Sequence, residues 1–321
     1  MIKKDRKKPL KLRKLEVLLR RVAEDHPARH KIEQDYAKSL AGYRGEKAID
    51  FYLKEIDESS ITLHDIRLPY EDAFFQMDTL ILSPKFIVIL ELKNIAGTVL
   101  FDQNFQQLVR TINGREEAFP DPVLQIGRLK RLLTIWLANL KFPSAPIETL
   151  IAVANSSTVI KASHNLEIKN KVIHAQGFPA KMEVYEKQHK NEKFSGNELR
   201  KMARLLIKFN QPYNPDILNP YGLQQTDILT GIFCPNCSLP AMERRDRAWI
   251  CPRCYYKSRN AHHAALQDFV LLFGSQITNR EVRSFLNLSS ISIAGKLLAS
   301  MDLNSTGSYR NRRYELILSD E

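Results

Sequence analysis

The sequence has 321 residues, of which 44% are hydrophobic and 26% are charged. These are globular proportions, which exclude a disordered or collagen-like chain, and the length corresponds to about two domains with room for a small third. No apolar run approaches the roughly 18 residues that cross a bilayer. The charged N-terminus lacks the apolar stretch of a secretory signal, so we expect a cytoplasmic protein.

The formal charge of +12 is concentrated at the N-terminus. Residues 1–21 contain ten basic residues and two acids, a net charge of +8, which leaves +4 for residues 22–321. A basic segment of this kind favours a polyanion as partner, either nucleic acid or an anionic membrane surface. The alternative is the solvated face of an exposed helix.

The first predicted element is a basic amphipathic helix over residues 10–24, because leucine and valine recur there at helical spacing. We expect its apolar stripe to dock on the body of the protein. A second helical stretch covers residues 30–57. Short apolar runs then predict strands over residues 61–68, 76–82 and 86–92, the first ending at Pro69. Residues 70–75 are predicted to be a loop, and Ser83-Pro84 a turn.

Further along the chain, Asn113-Gly114 is a turn signal. Apolar periodicity predicts helices over residues 122–140 and 196–209. Short apolar runs predict strands over residues 150–154 and 171–174. Three prolines in residues 211–220 indicate a linker.

Acidic side chains lie near the ends of two neighbouring predicted strands. Asp78 belongs to the first, and Glu91 and Lys93, which share a face because they are two residues apart, belong to the second. Carboxylates at a sheet edge can hold Mg²⁺, and an adjacent lysine can orient water or stabilise charge on a phosphoryl group. The alternative is a solvated salt bridge between Glu91 and Lys93.

The surrounding residues resemble the NERD (nuclease-related domain) family over roughly residues 35–155. The segments that carry the resemblance are Gly42-Tyr43-Arg44-Gly45-Glu46, Gln76-Met77-Asp78, Glu91-Leu92-Lys93-Asn94 with Gly97, and Asp121-Pro122-Val123-Leu124-Gln125. The family is assigned to the PD-(D/E)XK nuclease superfamily, so the resemblance implies an α/β fold with a restriction-endonuclease-like mixed sheet flanked by helices.

The resemblance also implies roles for single residues. Asp78 and Glu91 would be ligands of Mg²⁺ (or Mn²⁺), and Lys93 the catalytic lysine. Glu46 would support the metal or the water, and Gln125 would position substrate. Glu46 could instead be an acid on a helix surface, and Gln125 could be solvated. This chain has Thr79 where many family members have a histidine after the motif aspartate, and Phe105 where tryptophan is frequent.

The four cysteines form two Cys-x-x-Cys pairs, Cys234 with Cys237 and Cys251 with Cys254. This spacing is typical of a ribbon that holds one structural Zn²⁺ with four thiolates, and it looks like the C4 zinc ribbon of bacterial topoisomerase tails. Basic and aromatic side chains interleave around it, as in modules that bind single-stranded nucleic acid. They are Arg244, Arg245, Arg247, Trp249, Tyr255 and Tyr256. The alternative is that Trp249 and one tyrosine pack the ribbon.

The C-terminal segment resembles a small winged helix-turn-helix. Thr278 and Glu281 form a capping-box signature that opens a helix, a second helix follows, and residues 307–318 have the pattern of a wing strand. The second helix has only Lys296 as a basic residue, which is poor for DNA recognition. A role in protein interaction or packing is the alternative.

Five segments are therefore predicted. They are a basic N-terminal helix (1–30), a nuclease-like domain (31–210), a linker (211–229), a zinc ribbon (230–259) and a winged-helix-like tail (260–321). The functional hypothesis is a Mg²⁺-dependent nuclease that hydrolyses phosphodiester bonds in DNA. The alternative is a non-catalytic nucleic-acid-binding or regulatory protein with a degenerate nuclease fold.

Overall fold

The computed structural model describes residues 1–162, 166–308 and 311–319. The chain divides into two compact units, each built from separate stretches of sequence. The first unit contains Met1–Arg6 and Leu40–Tyr213, and the second contains Lys7–Ser39 and Asn214–Glu321. This division differs from the five segments expected from the sequence, which stay a prediction.

The described residues form helices and strands in both units. The helices are α1 (Leu10–Arg21), α2 (Arg29–Ala48), α3 (Pro122–Asn139), α4 (Leu166–Lys171), α5 (Phe178–Gln188), α6 (Gly196–Phe209), α7 (Ala261–Phe273), α8 (Asn279–Leu286) and α9 (Ile291–Ala299). The strands of the first unit are β1 (Ile2–Lys4), β2 (Ile61–Tyr70), β3 (Ala73–Leu82), β4 (Ile87–Lys93), β5 (Thr98–Asp102), β6 (Gln107–Ile112), β7 (Arg115–Pro120), β8 (Ile147–Val153), β9 (Val159–Ala162) and β10 (Val172–His174). Those of the second unit are β11 (Glu243–Arg245), β12 (Ala248–Ile250), β13 (Lys257–Ser258), β14 (Gln276–Thr278), β15 (Ser305–Thr306) and β16 (Arg313–Glu315).

A mixed sheet forms the centre of the first unit, in the order β1-β2-β3-β4-β8-β10. β2, β3 and β4 are antiparallel neighbours, whereas β4, β8 and β10 run parallel. Apolar residues of α3 and α6 cover one face, and those of α5 and the 3-10 helix Ile49–Glu55 cover the other. Because helices cover both faces, β4 and β8 are almost continuously apolar. The expected α/β fold, a mixed sheet flanked by helices, is confirmed.

Local signals explain where the covering helices begin. The Asp121 side chain accepts a hydrogen bond from the Val123 amide at 2.8 Å, and Pro122 occupies the first turn of α3. Ser195 and Glu198 form a capping box at the start of α6. These two helices were predicted from the sequence, and the structure confirms them almost to the residue.

A second sheet, β7-β6-β5-β9, lies in the chain between the central strands β4 and β10. Its β6–β7 hairpin turns at Asn113 and Gly114, whose φ angles of 50° and 73° fit a two-residue turn. The turn was predicted, but these strands were not. Their short, mixed sequences lack the alternation by which a strand can be recognised.

Three predicted boundaries are wrong. β2 does not stop at Pro69 but continues to Tyr70, with Pro69 paired to Phe74, and β3 begins at Ala73 instead of after a longer loop. Proline is tolerated there because β1 pairs only with the start of β2, so this end of β2 is an edge. The helical stretch predicted over residues 30–57 is α-helical only to Ala48 and continues as a 3-10 helix.

The second unit has one apolar core that combines α1 with the C-terminal elements. Leu15 and Leu18 of α1 lie in the same buried cluster as Ala265 and Phe269 of α7, which confirms that the apolar stripe of α1 is docked. Residues of the expected linker also enter this cluster. They are Ile217, Leu223 and Ile228.

Two small sheets complete the second unit. The strands β11, β12 and β13 form the cysteine ribbon, and β14-β16-β15 form an antiparallel sheet beside α8 and α9. The order helix, strand, two helices and two strands is that of a winged helix-turn-helix. Thr278 and Glu281 make the predicted capping box. Tyr309 and Arg310 of the predicted wing lie outside the described residues.

The basic N-terminal segment is not a free arm. The Arg13, Lys14 and Arg21 side chains are buried among the packed elements of the second unit. Lys14 Nζ donates to the Pro215 carbonyl at 2.7 Å, and Arg21 Nε donates to Asp268 Oδ2 at 2.7 Å. These three of the ten basic side chains in residues 1–21 are therefore buried, so the interpretation of a solvated helix face is wrong for them. Binding of a polyanion by the exposed ones stays a prediction.

Candidate functional sites

The middle of β3, the end of β4 and the start of α3 bring predicted catalytic residues of the first unit together. The pairing of β3 with β4 ends at Thr79 and Leu90, and Asp78 precedes Thr79 whereas Glu91 follows Leu90. Asp78 Oδ2 accepts the Leu92 backbone N–H at 2.9 Å, in place of a strand partner. This bond holds the Asp78 carboxylate against the end of β4.

Glu91, Lys93 and Gln125 form a closed triangle of hydrogen bonds. Lys93 Nζ donates to Glu91 Oε1 at 2.7 Å and to Gln125 Oε1 at 3.2 Å. Gln125 Nε2 donates to Glu91 Oε1 at 2.7 Å. The triangle fixes the rotamers of all three side chains, and it leaves Glu91 Oε2 buried without a hydrogen-bond partner among the described residues.

Glu46 approaches this group because α2 packs closely on the end of β4. A Cβ atom added at Gly45 would lie 2.2 Å from the Asn94 Cβ, so only glycine allows this approach. Asn94 Nδ2 donates to the Ala41 carbonyl at 2.7 Å and holds the same contact. The glycine before Glu46 and the asparagine after Lys93 are thus two halves of one packing contact.

Several carboxylates lie close together in this region, and burial and mutual repulsion raise the pKa values of Asp78 and Glu46. Burial raises the pKa of Asp78 well above its usual value, and the nearby Glu91 and Glu46 charges raise it further. Burial, together with Asp65, raises the pKa of Glu46 to about 7, although Arg6 opposes the shift. A bound divalent cation would relieve this repulsion.

The sequence did not identify Arg6, which neutralises part of this charge, or Asp65, which adds to it. Arg6 NH1 donates to Glu46 Oε2 at 3.0 Å, and Arg6 NH2 donates to Asp50 Oδ1 at 3.3 Å. Asp65, the one acid of β2, has a raised pKa because of burial. Because β2 carries several polar residues, the sequence did not single out Asp65, and nothing in the spacing of the N-terminal lysines and arginines singles out Arg6.

His64 has a structural role beside these residues. Its side chain is buried, Nδ1 accepts a hydrogen bond from Arg6 NH2 at 2.9 Å, and Thr79 Oγ1 lies 3.1 Å from the same nitrogen. Burial and the charges of Arg6 and Lys4 lower the pKa of His64 to about 3. His64 is therefore neutral at physiological pH, with its proton on Nε2.

The four cysteines of the ribbon converge as predicted. Their Sγ atoms all lie within 4.8 Å of one another, with 3.6 Å between Cys234 and Cys254 and 3.5 Å between Cys237 and Cys251. Tetrahedral Zn²⁺ with bonds of about 2.3 Å places its sulfurs about 3.8 Å apart, so these thiols fit zinc. Among the described residues, Glu46, Asp78 and Glu91 do not form a group of this compactness.

The residues predicted to bind nucleic acid on the ribbon separate into two sets. Trp249 is only 1% exposed, and its indole N–H donates to His262 Nδ1 at 3.1 Å, so the prediction that it stacks on bases is wrong. Arg244 lies over its ring at 5.1 Å, and Arg245 pairs with Glu243. The exposed members of the set are Arg245, Arg247, Tyr255 and Tyr256.

Comparison with known families supports the assignment of the first unit. Residues 41–154 match the family model described as NERD, nuclease-related domain. The matched segment contains Glu46, Asp78, Glu91, Lys93 and Gln125, and it confirms the resemblance inferred from these residues. The comparisons with curated proteins and with solved structures found no match. Within the described part of the chain, every helix is too short or too polar to cross a membrane.

Proposed function

We propose that the NERD domain of this protein is a Mg²⁺-dependent nuclease that hydrolyses phosphodiester bonds in DNA. The observation that carries the proposal is the triangle of Glu91, Lys93 and Gln125, which presents a fixed ammonium beside a carboxylate with a free buried oxygen. A solvated surface salt bridge would need neither the amide of Gln125 nor a buried Glu91. The carboxylate of Asp78 adds a second oxygen donor.

The donor set fits Mg²⁺ or Mn²⁺ by its chemistry. Glu91 Oε2 is an unpaired buried oxygen, and Asp78 supplies a second carboxylate that is costly to ionise without a cation nearby. When bound there, Mg²⁺ would lower the pKa of a bound water and neutralise charge on the phosphate. Asp78 and Glu91 would hold it, and Glu46 stays outside the ligand set in this arrangement.

The remaining residues have distinct tasks in hydrolysis. A water oxygen attacks phosphorus, the bond from phosphorus to the leaving oxygen breaks, and that oxygen takes up a proton. The Lys93 ammonium stabilises the negative charge that grows on the phosphoryl oxygens. Gln125 orients both Lys93 and Glu91 through its two hydrogen bonds. Glu46 would accept a proton from the attacking water, since its pKa of about 7 matches a general base.

A second function is favoured by one specific contact. Arg6 binds Glu46, and the three carboxylates Glu46, Asp78 and Glu91 do not converge to the spacing of a preformed metal site. A nucleic-acid-binding protein with an inactive nuclease fold would show the same arrangement. In that case the exposed ribbon residues Tyr255 and Arg247 would carry the binding.

The ribbon is proposed to be structural, with one Zn²⁺ held by its four cysteines. Four thiolates saturate the tetrahedral ion and leave no position for water or substrate. Cys234 and Cys251 lie in the main apolar core of the second unit, beside Trp249. A metal at this point would therefore join the ribbon to the core instead of supplying chemistry.

A cleavage assay decides between the two functions. Wild-type protein and Glu91→Gln, purified in parallel, are incubated with supercoiled plasmid and with labelled single-stranded DNA in Mg²⁺, Mn²⁺ or EDTA. We expect cleavage by the wild type in either metal, none in EDTA, and a rate at least about 100-fold lower for the variant. Equal rates for both proteins would indicate a contaminating nuclease. Binding without cleavage on every DNA and RNA tested would establish the non-catalytic function.

A further inference from the structure

The N-terminal strand delivers one arginine into the candidate nuclease site. β1 pairs with the start of β2, and Lys4 Nζ donates to the Asp65 carbonyl at 3.0 Å, which holds the segment along the sheet. Arg6 lies two residues after Lys4, and its side chain is only 3% exposed. A buried charge of this kind costs several kcal/mol unless it is fully paired, so its partners indicate what it is for.

The partners of Arg6 belong to the candidate site. Its guanidinium donates to Glu46 Oε2 at 3.0 Å, Thr79 Oγ1 at 3.0 Å and His64 Nδ1 at 2.9 Å. Thr79 is the residue directly after Asp78, and Glu46 is the proposed general base. The planar fork of the guanidinium thus connects the helix that carries Glu46 to the strand that carries Asp78.

Arg6 contacts one of the two oxygens of the Glu46 carboxylate. Arg6 binds Oε2 of this carboxylate, whereas no hydrogen bond to Oε1 occurs within the described residues. The arginine therefore fixes the direction of the carboxylate and leaves one oxygen for water. Its positive charge also lies beside Glu46 and Asp50, in a region that Asp65, Asp78 and Glu91 make strongly acidic.

We propose that Arg6 is a positioning residue of the nuclease site, which aims Glu46 and limits the affinity of the site for divalent cations. The inference rests on the proposed function, and it goes beyond the NERD match because Arg6 lies before residue 41, where that match begins. It implies that the first residues of the chain are part of the active unit. Removal of Arg6 takes away the positive charge beside Glu46 and Asp50.

Two variants distinguish the effect of the Arg6 charge from the effect of its hydrogen-bond geometry. Arg6→Gln removes the charge, and Arg6→Lys keeps the charge but cannot reach Glu46, His64 and Thr79 together. Mn²⁺ affinity is measured by calorimetry on zinc-loaded protein, so that the cysteines do not bind the titrant. Cleavage of single-stranded DNA gives kcat and KM. Arg110→Gln is the matched control, because Arg110 pairs with Glu117 on the small sheet.

The two variants are expected to differ in a defined way. Arg6→Gln should bind Mn²⁺ on the order of tenfold more tightly, because a nearby positive charge is lost. Its kcat should fall on the order of 100-fold, since a misplaced group loses most of its effect, while KM changes little. Arg6→Lys should bind Mn²⁺ like the wild type and still show the reduced kcat. Arg110→Gln should match the wild type in both measurements.

Other outcomes overturn the inference. Unchanged Mn²⁺ affinity and kcat in Arg6→Gln would show that the arginine has no role in the site, and faster cleavage would make it inhibitory instead. If both variants lose folding, metal binding and cleavage together, Arg6 has only a structural role. If the wild type cleaves nothing, the proposed function fails, but the comparison of Mn²⁺ affinities still decides whether Arg6 tunes the carboxylates.

Discussion

Gln125 on α3 donates to Glu91 on β4 across 2.7 Å, and this hydrogen bond joins the first turns of a helix to the end of a central strand. The same amide accepts from Lys93, so one side chain sets the orientation of both charged residues. The start of α3 is fixed in turn by its cap at Asp121. The position of the helix thereby determines the geometry of the candidate site.

Replacement of Gln125 tests this relationship. Gln125→Ala should lower kcat about tenfold or more, because Lys93 and Glu91 lose the group that holds their rotamers. Stability should change little, since alanine is a good helix former at this position. The neighbouring Leu124 is 51% exposed, so Leu124→Ala is the control on the same helix turn. Equal kcat values for the two variants would leave Gln125 without a positioning role.

We expect Lys93 to stabilise the charge of the transition state without binding the metal. Lys93→Met should abolish cleavage while Mn²⁺ affinity and DNA binding persist, because phosphate contacts elsewhere carry most of the affinity. Asp78→Asn should instead weaken Mn²⁺ binding as well. Lys85→Met is the matched control, since Lys85 forms a similar 2.7 Å ion pair with Glu186 at the β3–β4 turn. Wild-type cleavage rates in Lys93→Met would refute the assignment.

The raised pKa of Glu46 predicts how stability depends on pH. The folded state holds a proton on Glu46 up to about pH 7, whereas the unfolded state releases it near 4.5. The folded state therefore binds more protons in this window, and the metal-free first unit loses stability as pH rises from 4.5 to 7, by up to about 3 kcal/mol. Glu46→Gln should flatten this dependence.

Hydrogen exchange of β3 and β4 in EDTA, corrected for intrinsic rates, measures this effect in the first unit alone. Glu117→Gln serves as control because its carboxylate is exposed on the small sheet. Added Mn²⁺ should protect these strands more at pH 8 than at pH 5, because the metal binds the ionised carboxylates. An identical pH profile for wild type and Glu46→Gln would show that Glu46 titrates normally.

Zinc removal should unfold the ribbon. Cys234 and Cys251 are buried beside Trp249, so loss of the ion leaves a loop that cannot form a core by itself. Metal analysis of protein purified without chelators should give about one Zn²⁺ per chain. Chelation, or Cys254→Ser, should shift the Trp249 fluorescence to longer wavelength as the indole becomes exposed. Protein without zinc and with unchanged fluorescence would contradict the structural role.

The exposed aromatics of the ribbon give a direct test of nucleic-acid binding. Tyr255 is 78% exposed, and Tyr255→Ala should weaken binding of single-stranded DNA by about 1–3 kcal/mol, the usual value for one stacked base. Tyr213 is 53% exposed in the first unit and supplies the control, Tyr213→Ala. Fluorescence anisotropy with a labelled oligonucleotide measures both. Equal affinities would remove the ribbon from the binding surface.

Features that depend on the spacing of neighbouring residues could be predicted from the sequence alone. The two Cys-x-x-Cys pairs predict their own convergence, because four thiols at that spacing have one compact arrangement. The cap at Thr278 and the turn at Asn113 follow equally from neighbouring residues. The order of Asp78, Glu91 and Lys93 suggested a metal site, and the segments around these residues indicated the family.

Which charged side chains are exposed, and which are buried and paired, follows only from the tertiary structure. Arg6 and Arg21 look alike in the sequence, yet one lies among the acids of the first unit and the other binds Asp268 in the second. Trp249 looks like a base-stacking residue but is packed in a core. Burial and pairing depend on residues far apart in the chain, and no local pattern encodes whether a charge faces water or a buried partner.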